Sequence, residues 1–231
     1  MNIGNNITQI KKRITQAEQD ANRNPGSVLL LAASKQQSAA VITEAFNLGL
    51  EHFGENYYQE ALTKIKQLTH LSIHWHFIGP IQSNKTKGIA THFDWVHSID
   101  RIKIAHLLNE HRPENSEQLN VCLQINLVGE DTKSGIPIDL TTELAQAVSQ
   151  LPKLKLRGLM AIPPPQKNEE EQYLLLLQMQ QLMYSTNAKL GLNMDTLSMG
   201  MSEDLVPAIK AGATIIRVGR AIFGERQGAL I

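Results

Sequence analysis

The sequence holds a single cysteine, Cys122, among 231 residues, so no disulfide can cross-link the chain to itself and a reducing compartment is expected. Cys122 sits in the apolar run VCLQINL, where a buried strand residue is expected rather than a reactive thiol. An excess of charge of either sign is also absent. Twenty-two basic residues balance twenty-two acidic ones, which leaves no overall field to draw the chain to nucleic acid or an anionic membrane, so any anion site must be local. No apolar run approaches the ~18 residues that span a bilayer, and MNIGNNITQIKKRITQ lacks the apolar centre of a secretion signal. A cytoplasmic protein is expected. Ser/Gly linkers, low-complexity tracts and close repeats are missing too, which predicts one domain over residues 1–231.

What is present is a regular alternation of two periodicities. Ile3, Ile7, Ile10, Ile14, Ala17 and Ala21 recur at spacings of four and three, predicting an N-terminal amphipathic helix over about 3–22 that Asn24-Pro25-Gly26 ends. VLLLAAS follows, a continuous apolar run of the kind found in parallel strands covered on both faces. Further strands are expected at 51–54, 73–78, 95–99, 121–127, 156–162, 196–198 and 215–219, making eight with the first at 28–33. Stretches such as SAAVITEAFNLG, TTELAQAVSQL and EEEQYLLLLQMQQLM carry helical spacing and are long enough for crossovers. Eight β-then-α units predict an α/β fold, a (β/α)8 barrel of the TIM type. An open doubly wound sheet would show much the same alternation.

In such a barrel, chemistry collects at the carboxyl ends of the strands. Lys35 directly follows the first apolar run, where low-dielectric surroundings lower an amine's pKa and a neutral amine can attack an aldehyde. A lysine after a strand is by itself more often a solvated loop residue. The last two strand ends add the parts of a phosphate cradle: Gly200 and Ser202 after one, Gly219 and Arg220 before the short RAIFG segment after the other. Ser202 could instead cap a helix EDLVPAIKAG that Gly212 ends, and Glu203 and Asp204 in that first turn would repel an anion. Arg217 shares a strand face with Ile215 and points a cation toward the mouth, with Glu55 as one possible partner. His74 and His76 also share a face. Lacking a well-spaced third ligand, they read as hydrogen-bonded strand histidines rather than a metal pair.

Several long motifs carry a closer likeness: LLAASK around Lys35, HFGENYYQE, WHFIGPIQSNK, HSID, KSGI, RGLMAIP, LSMGMSEDL and IRVGRAIFGER. Together they span nearly the whole chain, which resembles the pyridoxal 5'-phosphate (PLP) homeostasis proteins, the YggS or proline synthase co-transcribed group. The resemblance implies a fold similar to the PLP-binding barrel of alanine racemase and eukaryotic-type ornithine decarboxylase, with PLP as a Schiff base on Lys35. It also implies phosphate contacts at Ser202, Gly219 and Arg220, and Arg217 facing the pyridine nitrogen. Asn56, Met160, Ser198 and Met199 fall in ring-lining motifs, and Lys133 matches a second family lysine. Gln37 stands where some members carry a lysine. Arg220 stands where many have serine or threonine, so the phosphate contact there is expected through the backbone amide.

The expected function is that of a PLP carrier or buffer without catalysis of its own. Its expected partners are PLP and PLP-dependent apoenzymes, not nucleic acid or a membrane, and it is expected to be a monomer. The racemases of this fold continue into a β domain with a catalytic tyrosine, whereas this sequence stops at Ile231. The alternative is a small amino-acid racemase with Tyr57, Tyr58 or Lys133 as its second base. A PLP-free isomerase using His76 or Glu55 on a sugar phosphate fits fewer of the motifs.

Overall fold

The computed structural model describes residues 2–129 and 134–224. The strands are β1 (Leu29–Ala33), β2 (His52–Glu55), β3 (His74–Phe77), β4 (Trp95–Ile99), β5 (Leu119–Asn126), β6 (Ile136–Pro137), β7 (Leu154–Ala161), β8 (Thr196–Ser198) and β9 (Ile215–Val218). The helices are α1 (Ile3–Asp20), α2 (Ala39–Asn47), α3 (Tyr58–Gln67), α4 (Thr86–His92), α5 (Ile102–His111), α6 (Thr141–Ser149), α7 (Glu169–Leu190), α8 (Leu205–Lys210) and α9 (Arg220–Phe223).

The Asn2 side chain caps α1 by accepting the Asn5 N–H at 3.0 Å. Of the predicted stripe, Ile3, Ile7, Ile10, Ile14 and Ala17 are buried, while Ala21 is half-buried just beyond the helix, which ends at Asp20; α1 packs beside α8 and α9. The Asn6 amide donates to the Ile222 carbonyl at 2.9 Å, joining the first helix to the last. At its other end the buried Glu18 carboxylate accepts from the Gly26 and Val28 N–H groups and the Ser27 hydroxyl. That fixes the turn into β1.

All the strand pairings are parallel, and β1 lies between β2 and β9. Pairing of β4 with β5 closes the ring, so β1 to β5 and β7 to β9 form an eight-stranded barrel. The open-sheet alternative is thereby excluded. β6 is an extra two-residue strand beside the end of β5, with Ile125 opposite Ile136; two residues, one of them proline, give no periodicity to read. No described helix is long and apolar enough to cross a membrane.

Several polar side chains are buried at the strands: Glu55, His76, His97, Gln124, Ser198 and Arg217. The bond from His97 on β4 to Ser198 on β8 joins strands that are not neighbours in the ring, so it crosses the barrel interior. A hydrogen-bonded polar column therefore runs through the centre, with Trp95 packed against His76 and His97. Such a column is tolerable only because its members satisfy one another.

Candidate functional site

Lys35 stands two residues beyond β1 and is half-buried. Its backbone is held from below. Gln36 adopts φ +64°, an uncommon conformation for a residue with a side chain, and its N–H donates to Glu60 Oε1 at 2.5 Å. The Ser34 hydroxyl donates to Glu55 Oε1 at 2.5 Å. Lys64 Nζ completes the network, donating to Ser34 O at 2.9 Å, Glu55 Oε1 at 2.8 Å and Glu55 Oε2 at 3.0 Å. Burial pushes the Glu55 carboxyl up, and the attraction and hydrogen bond of Lys64 oppose that rise. The strand-end turn that carries Lys35 is thus pinned on both sides by buried charge.

Glu55 is consequently not the partner of Arg217 that the sequence allowed, because β2 register places it within reach of Lys64. Arg217, also buried, donates through one terminal nitrogen to the Ser198 carbonyl and hydroxyl at 2.5 and 2.7 Å. Its other terminal nitrogen donates to Ala161 O at 2.8 Å. Burial lowers its pKa to about 10, partly offset by Asp204. Three of five guanidinium donors are used, and the other two have no acceptor among the described residues. Two donors therefore remain for a ligand.

Asn56, the residue after β2, has a buried Oδ1 without a hydrogen-bond partner. Gly79 lets the β3 loop lie directly over it, since a Cβ there would sit 2.1 Å from Asn56 O. Met160 and Met199 are fully buried, and Ser198 is opposite Met160 in the β7–β8 ladder. Gly200 has φ +92°, and a Cβ there would come within 2.5 Å of Ala208 Cβ, so only glycine fits.

The alternative reading of Ser202 as a helix cap does not hold. α8 begins later, at Leu205 with Asp204 before it, and Asp204 Oδ1 accepts the Met201 N–H at 2.6 Å. Ser202 lies half-buried in the intervening turn. Burial raises the Asp204 pKa, opposed by the backbone N–H of Met201 and by Arg217. Gly219 precedes α9, and a Cβ there would sit 3.0 Å from Ala33 O, so its backbone runs against the strand leading to Lys35. Arg220 is exposed. Lys133 lies outside the described residues.

The nine candidate residues thus lie on an arc of five adjacent strands, β7, β8, β9, β1 and β2, at or just beyond their carboxyl ends. His76 is the hydrogen-bonded strand histidine that the sequence suggests, whereas the buried Lys64 and the link from His52, His76 and His97 to Ser198 and Arg217 were not evident from it. His97 Nδ1 lies 2.7 Å from Ser198 Oγ, and His76 bridges His97 and His52 at 2.9 and 3.0 Å. The polar residues in otherwise apolar strand runs were the available signal.

The alanine racemase N-terminal domain family matches residues 4–227. A Pseudomonas aeruginosa protein named pyridoxal phosphate homeostasis protein is 52% identical, the alignment covering 97% of this chain and 96% of the relative. This chain belongs to the pyridoxal phosphate homeostasis protein family. An Escherichia coli pyridoxal phosphate homeostasis protein is 45% identical over 97% of each chain. PipY of Synechococcus elongatus, solved with and without PLP, is 37% identical with a TM-score of 0.85, over 96% of this chain and 100% of PipY. Alanine racemase from Corynebacterium glutamicum shares the fold, with a TM-score of 0.70 at 16% identity over 99% of this chain and 62% of the racemase.

Proposed function

We propose that this pyridoxal phosphate homeostasis family member binds PLP covalently through Lys35 and acts as a cytoplasmic carrier or buffer of the cofactor, without catalysis of its own. The observation that carries the reading is Arg217, a buried cation held by a hydroxyl and two carbonyls, with no salt bridge to a carboxylate among the described residues and two donors to spare. The unpartnered Asn56 Oδ1 and the close-packed backbone at Gly219 fit the same group. When bound, PLP supplies an aldehyde that condenses with a lysine amine and a ring that can withdraw electrons.

Lys35 would form the covalent link, while Ser202 and the backbone of Gly219 and Arg220 would hold the phosphate. Asn56, Met160, Ser198 and Met199 would line the ring, and Arg217 would donate to its nitrogen. A guanidinium that donates to this nitrogen disfavours its protonation and so weakens electron withdrawal, which suits holding rather than carbanion chemistry. PLP-dependent apoenzymes are the proposed recipients, and the carrier is proposed to be a monomer. The geometry around Tyr58 argues against its use as a racemase base, because a Cβ at Gly88 of α4 would sit 2.0 Å from its hydroxyl, placing that hydroxyl against the helix.

Purified protein loaded with PLP is expected to show a visible absorption band that Lys35→Ala abolishes, with the fold checked by circular dichroism. A band of equal strength in the variant would overturn the assignment of Lys35. Exchange of the Cα hydrogen of L-amino acids in deuterated water by the loaded protein would overturn the non-catalytic part.

A further inference from the structure

The histidine column has a property that follows from hydrogen-bond arithmetic. A guanidinium only donates, so Ser198 Oγ is an acceptor toward Arg217. Its remaining contact is His97 Nδ1 at 2.7 Å. The oxygen's second lone pair could accept an Nδ1–H, but the fully buried hydroxyl proton would then have no acceptor among the described residues, so the hydroxyl donates to Nδ1 and Nδ1 carries no hydrogen. A neutral imidazole has one donor and one acceptor. His97 must then donate from Nε2 to His76 Nδ1 at 2.9 Å, and His76 from Nε2 to His52 Nδ1 at 3.0 Å. Every link is decided by the one before it. Reversing any link would set two donors or two acceptors face to face.

We propose that His97, His76 and His52 are positioning residues for Arg217, forming a one-way hydrogen-bond wire whose polarity the guanidinium dictates and whose far end opens at the opposite end of the barrel. Ser198 and Arg217 lie at the carboxyl ends of β8 and β9, whereas His52 is the first residue of β2. His52 lines an open groove beneath the barrel with Lys11, Thr15 and Glu51. The wire gives the Ser198 hydroxyl an acceptor, which keeps its oxygen oriented toward Arg217 and leaves the two spare guanidinium donors toward the mouth.

Surrounding packing keeps the column neutral and in place. His74 stacks on His52 at 4.7 Å, and Trp95 stacks on His76 at 5.5 Å with Arg157 behind it at 4.8 Å. Burial depresses the basicity of all three histidines. His74 and Arg217 add to the effect at His52 and His97 respectively, while Glu51 opposes it at His52. A protonated ring would carry two donors and break the chain.

The wire is independent of any ligand, while its service to PLP rests on the reading above. The test is long-range proton–nitrogen NMR on the full 15N-labelled chain without PLP. All three histidines are expected to carry their proton on Nε2, with scalar couplings across the His97–His76 and His76–His52 hydrogen bonds. A proton on Nδ1 of His76 or His97, or the absence of both couplings, would overturn the wire. Arg217→Met should release the polarity, so that Nδ1-protonated or exchange-broadened signals appear even at His52, three hydrogen bonds beyond Ser198. Ser198→Ala makes the same break if Arg217→Met does not fold, and unchanged tautomers in a folded variant would refute control by the arginine. His97→Phe should weaken PLP binding about tenfold, the equivalent of one charge-assisted hydrogen bond. An intact wire in a protein that binds no PLP would sink only the cofactor reading.

Discussion

Replacing Lys64 by methionine tests whether the charge network under Lys35 is structural. The substitution keeps most of the aliphatic stem and removes an ammonium that makes two bonds to Glu55, one to Ser34 O and one to Glu60. The Lys64 side chain is 7% exposed and that of Glu55 is 0% exposed, so water cannot replace the lost partner. Removing one member of a buried pair costs about 3–5 kcal/mol, because the remaining charge stays desolvated. The cost must depend on pH. The Glu55 pKa is already raised by burial with Lys64 present, and without Lys64 it rises further. Above the ordinary carboxylate range the folded variant therefore holds a proton that the unfolded chain has released. Stability falls as pH increases through that window, by about 1.4 kcal/mol per unit, up to the folded pKa. Urea unfolding followed through Trp75 and Trp95 fluorescence at pH 5, 6, 7 and 8 is expected to show the largest deficit at pH 8 and the smallest at pH 5. Adding Glu55→Gln should recover much of the loss at pH 8. A deficit below about 1 kcal/mol, or one unchanged between pH 5 and 8, would refute the argument.

Acid should destabilise the wild-type protein before most carboxylates titrate. Burial lowers His52 to about 4 and His97 to about 3, with His76 also well below its ordinary value. Their stabilising neutrality is complete above the unfolded value of about 6.5 and is lost as pH falls through the folded values, each histidine costing about 1.4 kcal/mol per pH unit on the way. A urea midpoint that stays constant from pH 7 to 4.5 would contradict this. Cys122, fully buried and with its thiol pushed up to about 12 by burial, is expected to resist alkylation until the chain unfolds. Rapid labelling of native protein at pH 8 would be the contrary result.

The eight barrel strands were legible in the sequence because apolar runs bounded by turn residues, as at VLLLAAS and VCLQINL, alternate with helical spacing, which also located the short and more polar β2 and β3. The ring closure was not, since the β4–β5 pairing is set by sheet curvature and stagger, which no local pattern encodes. Lys35 drew most of its weight from the ordered family motifs, as a lysine after a strand is a weak signal alone. Ser202 was read as a possible cap because serine before an acidic pair has that appearance. Asp204 instead spends its carboxylate on Met201 and lies immediately before the shorter helix. The partner of Arg217 was out of reach for a different reason. Alternation along β9 says which way the side chain points, while inter-strand register decides that it meets Ser198 and Ala161 rather than Glu55.

The bond between Asn6 and Ile222 has a bearing on biosynthesis. The chain segment that forms α1 leaves the ribosome more than 200 residues before its docking partner α9 exists, a delay on the order of 10–40 s at ~5–20 residues per second. For that interval the stripe of Ile3, Ile7, Ile10 and Ile14 lacks part of its final cover, and β1 lacks β9, one of its two neighbours. The barrel thus cannot mature strand by strand as it is translated. The nascent chain must wait with its first helix incompletely buried, a natural point for holding factors to act and for truncated products to aggregate.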